Sequence, residues 1–295
     1  MLNRREMLAR GVRLAAGVAA SGGFADPFVF CCGQTRPHAR GFQIGACDWT
    51  LGKRSDPSAL ELAKRLGLDG VQLDLGNVKD DLPLRGPELQ KKYLELSKKL
   101  NVAIASLAIG VLNEVPLKSD PRAAQWVSDS IDVSKALGTS VVLVPFFGNG
   151  DVRNDQRGTD AVVERLKELA PKAQEGGVVL GFESWLNAEE HMEILHRVGS
   201  PALAVYYDVG NSHKMGYDIY REIRILGKHI CEFHAKDYDD LYGKGTINFP
   251  EVRRAIDEIG YRGWIQIEGT KMPLGVEESV RYDEKYLRTV FPSRV

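Results

Sequence analysis

Four apolar runs in the second half of the chain decide how it folds: VVLGFE at 178–183, ALAVYYD at 202–208, HICEFH at 229–234 and WIQIE at 264–268. Each is near-continuously apolar and flanked by helical periodicity, so each reads as a strand covered on both faces. Each also ends on a polar side chain, in order Glu183, Asp208, His234 and Glu268. Working outward, the same alternation reaches back to Gly41. Strands are expected at 42–48, 70–75, 102–108 and 140–146. Helices are expected at 58–66, 88–100, 121–137, 159–175, 188–198, 216–227, 249–259 and 276–290.

Eight strand–helix units of about 32 residues match the size of a βα repeat. No strand is followed by a Gly-rich dinucleotide-binding turn, which favours closure over an open doubly wound sheet. The expected fold is therefore α/β, a single-domain (β/α)8 TIM barrel over 41–295. Glycines directly after helices, as in Leu66-Gly67, Leu137-Gly138, Leu226-Gly227 and Ile259-Gly260, supply the helix stops.

A chain of 295 residues with 43% hydrophobic content has ample material for that core. With 39 basic and 40 acidic residues the net charge is −1, which offers no electrostatic case for a nucleic-acid partner. No apolar run reaches the ~18–20 residues of a membrane span. Composition also excludes a disordered chain, a coiled coil and a disulfide scaffold. A homo-oligomer is compatible with all of this.

Residues 1–40 read as a signal peptide and flexible tail. Arg4-Arg5 precede a small, weakly apolar stretch from Gly11 to Ala25, the pattern of a twin-arginine signal, and Gly23-Phe24-Ala25 offers a cleavage site. Export to the periplasm is the expectation. Cys31 and Cys32 fall in this tail. Cys47 and Cys231 fall on separate strands and read as small buried residues, with a disulfide between them left open.

The four polar strand ends carry the functional reading. Barrel enzymes keep their chemistry at the C-terminal mouth, and consecutive strands place Glu183, Asp208, His234 and Glu268 side by side on half of that rim. A single acidic strand end is ordinarily a helix N-cap. Four on successive strands, one an imidazole, point instead to a divalent cation that relieves carboxylate repulsion. Three oxygen donors and one imidazole suit Mn2+ or Mg2+, and also Co2+ or Zn2+.

Here the chain resembles the xylose isomerase-like sugar phosphate isomerases/epimerases. The likeness spans about 41–290. It is densest in Gly181-Phe182-Glu183, Tyr207-Asp208-Val209-Gly210-Asn211, Phe233-His234-Ala235-Lys236-Asp237, the segment 243–249 (GKGTINF) and the segment 260–268 (GYRGWIQIE). The resemblance implies one metal on Glu183, Asp208, His234 and Glu268, with Glu183 and Glu268 as acid and base. It implies isomerisation or epimerisation of a ketose or related sugar through an enediolate. Asn211, Lys236, Asp237, Trp185 and Trp49 are the expected substrate contacts, with Phe146-Phe147 as a further aromatic wall. Gly243-Lys244-Gly245 reads as a plain turn, and Trp264 as core at the bottom of the barrel. Period-two alternation sets Tyr206, Glu232 and Gln266 one layer below the mouth, where they would orient the ligands.

Three other functions compete. A lyase or dehydratase acting on keto-sugars or cyclitols would use the same residues, and export favours an unphosphorylated substrate. A non-catalytic sugar-binding barrel would not need two glutamates. An endonuclease IV-like nuclease needs histidines on early strands, whereas the six here are His38, His191, His196, His213, His229 and His234. His213 and His229 receive no role.

Overall fold

A computed structural model describes residues 41–269 and 271–293. The twin-arginine segment, Cys31 and Cys32 lie outside the described residues. Eight parallel strands close into a barrel in chain order: β1 (Gln43–Cys47), β2 (Gly70–Asp74), β3 (Ala103–Ala108), β4 (Val141–Phe146), β5 (Val179–Ser184), β6 (Leu203–Asp208), β7 (Ile230–Ala235) and β8 (Trp264–Ile267). The register that closes the ring pairs Gly45 of β1 with Gln266 of β8. All eight strands lie where the apolar runs placed them.

The surrounding helices among the described residues are α1 (Ser58–Leu66), α2 (Pro87–Leu100), α3 (Pro121–Leu137), α4 (Gln156–Gly176), α5 (Ala188–Val198), α6 (Val209–Lys214), α7 (Ile219–Leu226), α8 (Phe249–Glu258) and α9 (Val276–Val290). None is long and apolar enough to cross a membrane. One helix was expected at 216–227, and the chain forms two. Asp208 caps α6 through Asn211 N–H, and Asp218 caps α7 through Arg221 N–H. Between them Gly216 turns left-handed at φ 81°, a conformation only glycine adopts without strain.

The main core lies between the sheet and the apolar faces of the helices, from Ile44 and Leu60 round to Ile256 and Leu287. A separate small cluster, including Leu143, Ala204, Tyr206 and Cys231, packs on its own. Trp264 departs from expectation. It is only half-buried at the start of β8, and its ring occupies the space a side chain on Gly70 would need.

His191 on α5 shows how the shell is tied to the sheet. Its Nδ1–H donates to the Asn187 carbonyl at 2.9 Å, leaving Nε2 to accept from Ser184 Oγ of β5 at 3.0 Å. Burial outweighs the Asn187 contact and holds the imidazole down to about 4. The folded chain therefore keeps His191 neutral, while the unfolded chain protonates it below roughly 6.5. Stability fully present above that pH drains away as pH falls toward 4, on the order of 3 kcal/mol in total. Urea unfolding at pH 7, 5.5 and 4.5 should show a shallower pH slope for His191→Gln than for the wild type; equal slopes would contradict the assignment.

Candidate active site

The C-terminal ends of β5 to β8 bring Glu183, Asp208, His234 and Glu268 together, with one ligand-type atom from each lying within 4.8 Å of all the others. His234 Nδ1 stands 3.2 Å from Glu183 Oε1, 3.4 Å from Glu268 Oε2 and 3.9 Å from Asp208 Oδ2. Asp208 serves two purposes. Its Oδ1 accepts Asn211 N–H at 2.8 Å as the cap of α6, while its buried Oδ2 has no hydrogen-bond partner.

Lys236, directly beyond β7, is buried and points its ammonium into the cluster. Nζ donates to Glu268 Oε2 at 2.8 Å and lies 3.6 Å from Asp208 Oδ2. Burial lowers Lys236, but Glu268 and Asp208 outweigh it and hold the ammonium well above its ordinary value. Burial likewise lowers His234, and Glu268 and Glu183 reverse that to about 9. Glu268 is pushed up by burial but pulled further down by Lys236 and His234. Asp208 goes the other way: burial raises it, Lys236 opposes, and Glu268 and Glu183 add to the rise. Three carboxylates against one ammonium and one imidazolium leave an excess of negative charge in a buried site. A divalent cation cancels that excess and supplies the partner Asp208 Oδ2 lacks, so the donor set fits such an ion.

The cluster opens into a cavity of about 410 Å3, within the ~300–1,000 Å3 usual for small-molecule sites. Trp49, Asn211, Lys236 and Trp185, the substrate contacts expected from the sequence, are among the residues that line it. Trp49 Nε1–H donates to Glu268 Oε1 at 3.0 Å, and Asn211 Nδ2 reaches Glu183 Oε1 at 3.4 Å. Asn211 is helical within α6, and its Oδ1 accepts the Tyr238 hydroxyl. The aromatic pair divides: Phe147 faces the cavity and meets Trp185 edge-on at 5.1 Å, while Phe146 stacks on Phe182 in the core.

Asp237 is not on the cavity wall. It is buried, and its oxygens accept Asp239 N–H and Ile247 N–H, so it shapes the loop that carries Tyr238. Lys244 stays outside as well, with Nζ over the Tyr282 ring at 4.7 Å, as befits a turn. His213 is exposed and pairs with Thr246 Oγ1. Cys47 and Cys231 are free thiols, so the disulfide left open by the sequence is absent. Nor is Cys47 a plain apolar filler: Sγ sits 3.2 Å from Gln72 Oε1 and 3.4 Å from His234 Nε2.

The opposite rim holds residues the sequence reading passed over. Asp48 and Asp74, just after β1 and at the end of β2, are buried acids, with Asp74 N–H donating to Asp48 Oδ2 at 3.0 Å. Burial raises both, and Asp74 raises Asp48 further. Asp74, Arg54, Asn113, Glu114 and Tyr238 complete the cavity wall. The acidic strand end that marks Glu183 is present in QIGACD and GVQLD too.

The model of the xylose isomerase-like TIM barrel family matches residues 60–289. The chain belongs to that family. A curated relative, 2-epi-5-epi-valiolone 7-phosphate 2-epimerase from Actinoplanes sp. (strain ATCC 31044 / CBS 674.73 / SE50/110), is 28% identical over 177 residues, 60% of this chain and 65% of that protein. The match thus covers just under two thirds of that relative's length. Among solved structures, D-psicose 3-epimerase from Clostridium cellulolyticum H10 superimposes with a TM-score of 0.73 at 16% identity, covering 84% of this chain and 99% of that one. The 3-keto-D-glucoside 4-epimerase of E. coli gives 0.70 at 14% identity, with the same coverage of both chains. At these identities the structural likeness speaks for the barrel.

A charge prediction follows from the cluster. Asp208→Asn keeps the cap on α6 and removes one of three converging carboxylates. Without added metal it should melt higher than the wild type, by roughly 1 kcal/mol or ~2–4 °C for a chain of this size. A lower melting temperature in metal-free buffer would show that the repulsion is already relieved.

Proposed function

We propose that this chain is a metal-dependent sugar epimerase or isomerase in which Glu183 and Glu268 move the proton alpha to a carbonyl. The observation that carries this reading is the placement of both glutamates, on β5 and just beyond β8, at one cavity with Asp208 and His234 between them. Epimerase activity in the curated relative, and in the names of the barrels that superimpose, supports it. Glu183, Asp208, His234 and Glu268 would hold the metal. When bound, a divalent ion supplies Lewis-acid polarisation of a carbonyl and its neighbouring hydroxyl.

The protein's own groups do the rest. One glutamate takes the proton from the carbon and the other returns it. Return to the opposite face of the same carbon inverts it, and return to the adjacent carbon isomerises the sugar. Lys236 holds Glu268 anionic at neutral pH, as a base must be. Asn211 steadies Glu183, and Trp49 steadies Glu268. Trp185 and Phe147 give an aromatic wall suited to the apolar face of a sugar ring. Tyr238, Asn113 and Arg54 offer polar groups to its hydroxyls. The twin-arginine pattern is part of this proposal: an exported enzyme would meet unphosphorylated sugars more than sugar phosphates.

The test is solvent exchange. Purified full-length protein loaded with Mn2+ is incubated in deuterated buffer with free ketoses, ketose phosphates and 3-keto-glycosides, and deuterium at carbon is read by NMR. One metal per chain and exchange at a single carbon are expected, and Glu183→Gln and Glu268→Gln should each lower that exchange by about 10²–10⁴-fold. Exchange that survives either substitution would remove that glutamate from the mechanism. A wild type that neither binds metal nor exchanges any proton would overturn the reading.

A further inference from the structure

Below the four mouth residues lies a hydrogen-bonded chain that crosses the barrel interior and returns to His234. Its root is Glu232 on β7. Glu232 Oε1 accepts from Ser106 Oγ at 2.8 Å, Gln266 Nε2 at 2.8 Å and the Tyr206 hydroxyl at 2.9 Å. Tyr206 has thereby spent its only proton, so its oxygen is free to accept, and Gln72 Nε2 donates to it at 3.0 Å. The far side of the Gln72 amide is then its carbonyl oxygen. That Oε1 stands 2.8 Å from His234 Nε2 and 3.2 Å from the Cys47 thiol, two groups that can both donate to it.

The direction of every proton in this chain follows from its root. An amide can be placed either way round in a cavity, and which way is decided by its neighbours. Here Tyr206 on one side offers only an acceptor and Cys47 on the other offers a donor, so the Gln72 carbonyl faces His234. His234 must then carry its proton on Nε2. Whenever the imidazole is neutral, as a metal ligand must be, the lone pair is therefore on Nδ1, the nitrogen that points at Glu183, Glu268 and Asp208.

We infer that Gln72 of β2 is a positioning residue that holds His234 in the Nε2–H tautomer, aims Nδ1 at the carboxylate cluster, and is itself held one way round by Tyr206 and Glu232. This rests on the metal site proposed above. Tyr206, Glu232 and Gln266 were expected to orient the ligands. Gln72, from the opposite side of the barrel, makes the 2.8 Å contact with the imidazole Nε2, while the Tyr206 ring packs on the imidazole at 4.5 Å and its hydroxyl, with Glu232 and Gln266, lies behind Gln72 in the hydrogen-bonded chain. Every member is buried, so losing one partner leaves the other unpaired at a cost. Hydrogen-bonded partners behind a ligating imidazole typically contribute 10–100-fold to metal affinity.

The probe is Mn2+ alone, titrated into full-length protein and followed by calorimetry, with a thermal melt of each variant in metal-free buffer. Gln72→Leu, close in size but with no polar group, should bind Mn2+ about 10–100-fold more weakly than the wild type. Gln72→Glu keeps an oxygen facing His234 and should recover most of that loss, which a role in packing alone would not explain. Tyr206→Phe removes one oxygen and leaves the amide free to turn over; it should weaken binding in the same direction but by less. Combined with Gln72→Leu it should add nothing. Should Gln72→Leu not fold, the Tyr206→Phe and Gln72→Glu titrations decide the matter by the same two expectations. Wild-type affinity in Gln72→Leu, equal losses in the Leu and Glu variants, or unchanged affinity in Tyr206→Phe would overturn the inference while leaving the metal site intact. Failure of the wild type itself to bind Mn2+ would overturn the metal site first and this inference with it.

Discussion

Three carboxylates converge at one end of the barrel where water is largely excluded, and only one ammonium is there to meet them. Glu183, Asp208 and Glu268 are brought within a few ångströms by strand register, and Lys236 lies against two of them. Burial pushes both Asp208 and Glu268 upward. Lys236 and His234 overcome burial at Glu268 and keep it charged, whereas at Asp208 burial, with Glu268 and Glu183, wins over Lys236 and drives it up. The fold accepts this conflict at its rim because the helices and main core elsewhere are closely packed and apolar. The arrangement is costly for folding, and its donor set is one that a divalent ion would fit.

The polar layer beneath the mouth answers a different requirement. The inside of a barrel of this size is filled by side chains, and a polar group buried there is costly without a hydrogen-bond partner. Glu232, Ser106, Tyr206, Gln72, Cys47 and His234 meet that demand as one connected set rather than as separate pairs. The close fit reaches the backbone. Gln266 places its Oε1 where a side chain on Gly45 would stand, so β1 carries a glycine at that register position. The side chains at the rim are therefore hydrogen-bonded to the packing one layer down.

Much of the architecture was legible because strand and helix periodicities differ and this chain keeps them cleanly apart. The strand ends were legible for a related reason. In GFE, YYD, EFH and QIE a charged or imidazole group closes an apolar run, and the right-handed, in-order winding of a parallel barrel turns that recurrence into proximity. The same reasoning, carried to QIGACD and GVQLD, would have found Asp48 and Asp74. Asp237 shows its limit: adjacency to His234 and Lys236 placed it at the substrate, but its oxygens are taken by the amides of its own loop. Nothing in the order of residues says which way a loop carboxylate turns.

By itself, then, the sequence determined the eight strands and the four residues that meet at one end of the barrel, because these depend on alternation and chain order. The tertiary structure decided what those four residues experience. It set Lys236 among the acids, opened the Asp208 oxygen toward the cluster and joined Gln72 to His234 across the barrel, 162 positions away in sequence. Such contacts depend on barrel closure and on rotamers chosen against neighbours from distant strands. Those neighbours do not exist, for any one residue, until the ring is shut.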